Sequence, residues 1–423
     1  MRTYHILIEA KTPLKVGSGK FDYFNDLPVQ KDWNNLPFIL GTSIAGVLRD
    51  KAKEIEFESY FGNDCFEIFK KEGKSEKFEE CIKNQKGSKV IVSNALLVDE
   101  RGEVNEELLL EKSDFLKRFE NLPIREHTAI GERGVAKEHM KYDEEVVFKG
   151  SRFKFSLEFV DMQEDEIQKI IEILFLNTLR FGGGSSKGFG EFEILEIRYE
   201  DNASTSSLNY IPKNVLNISK IKDEKFDEYL LKLEPDDFFL FGSGFGDREA
   251  DMIGVYEDVV DYENKTFKTH LLIPASSIKG AISHRLAYYY NLENSLFEEE
   301  TGVEEENEAV LDIFGSKKDK NAGKSGKVLM SDIFLDNFSS RVFEHVGIDR
   351  FLGGARDGAL FQEKANWADG VELKIFLRKG AKYKGLFERV LKDIASSNLA
   401  LGGMVTKGYG FFKGEVYKNG EKI

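Results

Sequence analysis

Two cysteines are all that 423 residues contain. Cys65 and Cys81 are too few for a disulfide framework or a cysteine zinc site, and their spacing matches no ligand pattern, so both read as ordinary structural cysteines. Long apolar runs are missing too. No window approaches the roughly 18 apolar residues of a spanning helix, and the start Met1-Arg-Thr-Tyr-His5 lacks a signal-peptide core; the expectation is a cytoplasmic protein with no membrane partner. The third shortage is positive charge: 60 Lys and Arg against 75 Asp and Glu leave a net −15. A field of that sign repels polyanions, so nucleic acid can be held only along a locally basic track. Part of the acidic excess is concentrated in Glu298–Glu308, whose seven glutamates read as a solvated loop or helix face.

Glycine is plentiful, with 38 residues, and it clusters twice in one pattern. Phe181-Gly-Gly-Gly-Ser-Ser-Lys-Gly-Phe-Gly190 and Leu401-Gly-Gly-Met-Val-Thr-Lys-Gly-Tyr-Gly410 share the template Gly-Gly-x-x-x-Lys-Gly-aromatic-Gly. Each follows a helix-like run (Glu166 to Arg180, Lys384 to Ser397) and leads into a β-like tail. Glycines in such a connection let backbone approach something closely, and a central Lys suggests phosphate, held by backbone N–H groups and one cation. The alternative is a tight αβ connection with no ligand.

The remaining signals repeat in the same order. A strand-like stretch leads into Gly17-Ser-Gly19 in one half and Gly242-Ser-Gly244 in the other. Helix starts follow at Thr42–Arg49 and Ser276–Arg285, with Ser or Thr as N-cap and Ile44, Val47, Leu48 or Ile278, Ala281, Ile282 as the buried stripe. Then come a Phe-Gly pair, a strand (Lys89–Val98, Lys327–Leu335), a long polar excursion, a strand, a helix, the glycine loop and a last strand. Each half reads βαββαβ, the ferredoxin-like or RRM-like unit, and the fold class is α+β. The predicted domains are 1–200 and 228–423, joined by a polar linker 201–227. Excursions at about 113–145 and 338–370 are too long for hairpin turns and predict thumb-like β-hairpin insertions. Ile124–Ala136 aligns without a gap on Ile348–Leu360, which sets His127 opposite Phe351.

This ordered duplication resembles the RAMP superfamily, and within it the backbone subunits of type III CRISPR effector complexes, here two in tandem. The stretch Ile348–Phe361 adds to the likeness. The resemblance implies a palm lying along guide RNA, a thumb wedging between paired bases, and an Asp after the first strand, commonly in an Asp-x-Pro context. That context maps onto Asp26-Leu-Pro-Val29, with Asp22 and Asp32 as near neighbours. Asp26 is then the catalytic residue and the ligand of a transient divalent metal, Mg2+ or Mn2+, which together activate a 2′-OH of target RNA. No organic cofactor is implied. The second half has no Asp-x-Pro, and among Asp251, Glu257 and Asp258 the order of preference is Asp258, then Asp251.

Guide-RNA contacts implied by the resemblance are Gly17, Ser18, Gly19, Ser43, Arg49, Gly182, Gly183, Gly184, Lys187, Gly188 and Phe189 in the first half. In the second half they are Gly242, Ser243, Gly244, Ser277, Lys279, Arg285, Gly402, Gly403, Lys407, Gly408 and Tyr409. Family helix starts pair a Lys with an Arg four residues on; Ala45 and Ser283 replace one cation in each half. Thumb contacts to target RNA are Arg125, His127, Arg133, Arg350, Phe351 and Arg356. Trp33, Trp367, Tyr142 and Phe361 are candidates for stacking on bases. The implied partners are guide RNA, complementary target RNA, and the other RAMP, large and small subunits of the complex.

Two further readings stand beside this one. A guide-binding scaffold would share every contact without an active carboxylate, and a metal-independent guide-processing ribonuclease would use His127 and His139 as general acid and base. Gly17-Ser-Gly-Lys20 and Asn321-Ala-Gly-Lys-Ser325 fail the spacing of an ATP-binding loop.

Overall fold

The computed structural model describes residues 1–19, 26–63, 65, 68–69, 73–131, 136–203, 205–296, 307–316 and 323–423, the side chains of 137–139 excepted. Asp22, Arg133, the His139 side chain and most of the Glu298–Glu308 run lie outside the described residues.

In the first half β1 (Arg2–Ala10) buries Tyr4, Ile6, Ile8 and Ala10, the period of two that a half-buried strand imposes. It is followed by α1 (Gly41–Ala52), β2 (Val90–Val92), the hairpin β3 (Ile124–Ile130) and β4 (Ala136–Glu145), β5 (Arg152–Phe159), α2 (Glu164–Leu174) and β6 (Phe192–Asp201). The antiparallel sheet runs β2-β5-β1-β6, with Asn214–Val215 added at the β6 edge.

The second half supplies β7 (Phe226–Pro235), β8 (Val255–Asp261), β9 (Thr266–Ile273), α3 (Ala275–Glu293), β10 (Val328–Met330) and β11 (Ile333–Leu335). The hairpin β12 (Ser339–Ile348) and β13 (Ala355–Trp367), then β14 (Val371–Arg378), α4 (Lys384–Ala395) and β15 (Phe412–Lys418), complete it. Its sheet, β10-β14-β7-β15, repeats the first. Both halves are ferredoxin-like, and the class is α+β.

Helices cover one face of each sheet. In α2 the residues Ile167, Ile170, Ile171 and Leu174, and in α4 Phe387, Val390, Leu391 and Ile394, recur at i, i+3, i+4, i+7 and are buried. The first core gathers this α2 stripe with Ile44 and Leu48 of α1 over Phe153, Phe155 and Leu157; the second repeats it with Ile278, Ile282, Leu373 and Ile375. The α2 helix stops short of the predicted Arg180, because Leu176 leaves it to bridge Ile221.

Two local expectations are corrected. Neither α1 nor α3 is capped by its Ser or Thr. The first N–H of each helix is held instead across the sheet edge: Gly41 N donates to Asn94 Oδ1 at 2.9 Å and Ala275 N to Asp332 Oδ1 at 2.8 Å. Cys65 and Cys81 form a disulfide, their Cα atoms 5.6 Å apart. The count argued against pairing, but one bridge needs only two side chains that the local fold brings within reach.

The excursions project as hairpins from Ile124 and Ser339 onward. Residues before Ile124 are not part of the first projection: Phe115 and Phe119 are buried and pack on Phe267 of the second half.

Candidate functional site

At the base of each hairpin a glutamate is fully buried. Glu144, on β4, pairs with Lys15 and Lys187 and lies 2.5 Å from His127 Nε2. Glu363, on β13, lies 2.8 Å from both Lys407 Nζ and His345 Nε2. The two histidines stack on Tyr142 and Phe361, and the two lysines lie over those same rings. Each half therefore fixes its hairpin to its glycine loop by one lysine, one histidine, one aromatic ring and one buried carboxylate. Burial alone would raise the Glu144 carboxyl, but His127, Lys15 and Lys187 outweigh it and hold the group at about 2. Glu363 is lowered in the same way against its burial, by Lys407, His345 and Tyr409.

This geometry corrects several expected contacts. Lys187 and Lys407, expected at phosphate, each also pair with a buried glutamate while staying partly exposed. His127 is not a thumb surface residue, and its counterpart is His345 rather than Phe351. Tyr142 and Phe361 stack on histidine, not on bases. The close approach that the glycines permit is intramolecular: a Cβ on Gly182 would lie 2.2 Å from Lys15 O, and one on Gly402 2.7 Å from Leu240 O. Gly183 N and Gly403 N donate to those same carbonyls. The loops thus clamp the turn after the first strand of each half.

Arg125, expected on target RNA, is buried between the halves. Its Nε donates to Glu257 Oε2 at 2.8 Å, its Nη1 to Asp332, and its guanidinium covers the Phe189 ring. Burial opposes its charge, but Asp332 and Glu257 more than offset this and raise its pKa. Glu257 is pushed up by burial in turn. Gly188 and Phe189 are buried at the same junction, and a Cβ on Gly188 would meet Asp332 Oδ1 at 2.1 Å. Arg285 points to α4, where Nε meets Asp393 Oδ2 at 2.7 Å, and Tyr409 is largely buried.

Lys279 behaves differently. Its ammonium donates to Ser186 Oγ at 3.1 Å, and no carboxylate among the described residues is within ion-pair distance. Burial, and then the nearby Lys187, lower it to about 8. A half-buried cation of this kind, beside the N-terminal turn of α3 and the first glycine loop, suits an anion.

The Gly-Ser-Gly turns open loops that return in matching fashion, with Gly17 bridging Val29 and Gly242 bridging Gly254. On each returning loop an exposed aspartate touches the hairpin. Asp26 Oδ2 accepts the Asp143 N–H at 3.2 Å, and Asp251 Oδ2 accepts the Gln362 N–H at 2.8 Å. The Glu145 N–H then reaches Leu27 O, and the Lys364 N–H reaches Met252 O. Asp251 therefore occupies the place of Asp26. Asp258, preferred from sequence, is bound to Arg118 and Thr269 on strand β8 and is not its equivalent. The missing proline hides this; the shared distance back to the Gly-Ser-Gly turn is the signal that could have shown it.

Between the halves lies a cavity of about 730 Å3, lined by Lys117, Ile124 and Glu126 on one side and Gly242, Ser243 and Ser277 on the other. Ser43 and Arg49 lie on α1, half-buried. The second hairpin tip is open, with Arg350 and Arg356 exposed and Phe351 99% exposed.

Two βαββαβ units, each with a hairpin anchored over a glycine loop and an aspartate at its base, define a tandem platform of one design. The RAMP superfamily model matches residues 7–193 and 255–413, and the chain belongs to that superfamily. The superfamily makes it a CRISPR-associated RNA-binding subunit, in a group that includes some ribonucleases. A search of curated proteins returns no match. Among the described residues no helix is long and apolar enough to cross a membrane.

Proposed function

We propose that the chain is a guide-RNA-binding double backbone subunit of a type III CRISPR interference complex, and that it cleaves complementary target RNA beside Asp26 and beside Asp251. The observation that carries this reading is the matched pair of exposed aspartates, each held by a backbone N–H of its own hairpin. A strand wedged apart by the hairpins would present its sugar edge to these carboxylates. Guide phosphates would meet Lys279, the N-terminal turn of α3 and the exposed backbone of the two glycine loops, contacts that fix position without reading sequence.

A divalent cation fits the first site better than the second. Asp26 and Asp143 each accept the other's backbone N–H, so two carboxylates stand together with oxygens to spare. One or two carboxylates plus substrate phosphate is the usual way Mg2+ is held. At Asp251 the neighbour is Gln362, an amide in place of the Asp143 carboxylate. When bound, the cation would supply charge neutralisation at the phosphate and make the 2′-OH more acidic. The aspartate would orient that hydroxyl and accept its proton, and the 2′-oxygen would attack the adjacent phosphorus and break its bond to the 5′-oxygen of the next nucleotide, which would take a proton from water and leave as a 5′-hydroxyl beside a 2′,3′-cyclic phosphate.

A non-catalytic scaffold is the second reading, supported in the second half by Gln362, an amide where the first half has Asp143. A nuclease built on His127 is disfavoured, because that ring is stacked on Tyr142 and faces Glu144. The test is to purify the chain with its native partners, extract bound RNA, and add complementary target RNA with and without Mg2+. Two metal-dependent cuts at fixed spacing are expected, one lost in Asp26→Asn and the other weakened or lost in Asp251→Asn. Bound guide with no cut assigned to either residue would leave the scaffold, and absence of bound RNA would refute both.

A further inference from the structure

The first half carries two pieces that the second half does not repeat. Residues 98–123 lie between Leu97 and the hairpin at Ile124, whereas the second half passes from Leu335 to its hairpin at Ser339 in three residues. Ahead of its first helix the second half builds β8 and β9, which pack back on the first half. There Phe267 meets Phe115, Phe119 and Phe148, Arg118 covers its ring, and Tyr262 Oη accepts the Arg152 N–H at 3.2 Å. At the same place the first half has only a short turn, closed by the bridge of Lys31 with Pro37, and Trp33 lies on it.

These two pieces are fastened to each other. Buried Asn34 donates its amide to Glu107 O at 2.9 Å and accepts the Leu109 N–H at 2.8 Å. Asp32 fixes the turn by accepting the N–H groups of Asn34 and Leu36 at 2.8 and 3.0 Å. Leu109 packs against the first core, while its neighbours stay outside. Trp33 is 61% exposed, Leu108 67% and Leu110 100%, three large apolar side chains on adjoining pieces of one frame. Apolar residues scattered singly on a surface are ordinary, but a group of them held together marks an interaction surface, and Trp is among the strongest anchors of such contacts. A frame already fixed by hydrogen bonds also loses little freedom on binding.

Charge selects the occupant. Glu106, Glu107 and Glu111 border the leucines and are exposed, and the adjacent Lys112 is turned to Glu120. Trp33, a candidate for stacking on bases from sequence, therefore stands among carboxylates. Such a rim repels RNA, an anionic lipid surface and a second copy of this chain, itself at −15. It complements an apolar face set between lysines or arginines.

We propose that Trp33, Leu108 and Leu110, with their glutamate rim, dock a basic amphipathic helix of a different protein. Because both pieces are absent from the second half, each chain offers one such site, not two. The site lies apart from Asp26 and Asp251, and it stands or fails separately from the ribonuclease reading.

The test uses the chain expressed with its native partners and carrying Leu110→benzoylphenylalanine as a photo-crosslinker, with the adduct sequenced by mass spectrometry. The expected result is an adduct with a different protein, at a stretch of apolar residues at helical spacing flanked by Lys or Arg. That stretch, made as a peptide, shifts the emission of Trp33 to the blue in a Trp367→Phe background. Its affinity falls roughly tenfold or more in Leu110→Glu, and also in the double variant Glu107→Lys, Glu111→Lys. Melting curves report whether each variant is folded, and native values are expected for these exposed positions. An adduct with RNA, with a second copy of this chain or with an acidic segment overturns the proposal. So does the absence of any adduct, or a peptide affinity unmoved by these substitutions.

Discussion

Arg125 separates two accounts of the first hairpin. Replaced by Met, it would leave Glu257 and Asp332 buried with no cation between them. Removing one partner of a buried, hydrogen-bonded ion pair costs about 3–5 kcal/mol, because the remaining charge stays uncompensated. For a unit of some two hundred residues, about 2–4 °C per kcal/mol, the loss corresponds to a melting temperature lower by roughly 10 °C. The deficit shrinks as pH falls, since Glu257, already pushed up by burial, takes up a proton and removes the repulsion. Calorimetry at neutral and mildly acidic pH measures both effects. RNA affinity supplies the contrast: removing a cation that neutralises one RNA phosphate would lower the slope of log affinity against log salt by about 1. The structure predicts a lower melting temperature and an unchanged salt slope. A variant with native stability and a reduced slope would refute the placement of Arg125 at the junction.

Other expectations follow from the same structure. Glu144 is lowered from 4.5 to about 2, so its roughly 3 kcal/mol of stabilisation is fully present above pH 4.5 and is lost as pH falls towards 2. Acid unfolding of Glu144→Gln should lack that step, and an identical acid limb in both proteins would contradict it. Lys279, lowered to about 8, gives up its charge as pH rises through 8, so RNA affinity should fall between pH 7 and 9 in the native protein and stay flatter in Lys279→Met. Equal pH profiles would remove Lys279 from the RNA track. Of the two cuts, the one assigned to Asp251 should need the higher Mg2+ concentration, since Gln362 stands where the first site has Asp143; a cleavage titration reversing that order would oppose the assignment.

The fold is legible in the sequence because its signals are periodic and duplicated. The alternation of Tyr4, Ile6 and Ile8 and the matching stripes of α2 and α4 carry enough information to place strands and helices, and their order gives βαββαβ twice. The hairpin register is less accessible. A gapless match of Ile124–Ala136 to Ile348–Leu360 sets His127 on Phe351, whereas both histidines occupy the pair beside a buried glutamate. Period-two alternation fits either register, and only the three-dimensional partner decides. For a similar reason the sequence offers Arg125, Lys187 and Lys407 as cations for RNA: nothing near them along the chain announces a carboxylate far away in it. Asp251 is inconspicuous because a proline, rather than distance from the Gly-Ser-Gly turn, marks the first site. The cap residues Asn94 and Asp332 are hidden too, since each serves a helix that precedes it by some fifty residues.

The segment between the halves is not a slack tether. Asn214–Val215 extends the first sheet, Leu216, Ile218 and Ile221 pack against the first core, and Leu208 is buried beside Val98. With Arg125 clamped at the other side of the junction, little freedom is left for a hinge. Asp26 and Asp251 are thereby held at one interval, set by packed side chains rather than by linker length. On the proposed reading the chain is in effect a gauge with two marks, and an RNA strand laid along it would be touched at a spacing that neither its sequence nor its own stiffness sets.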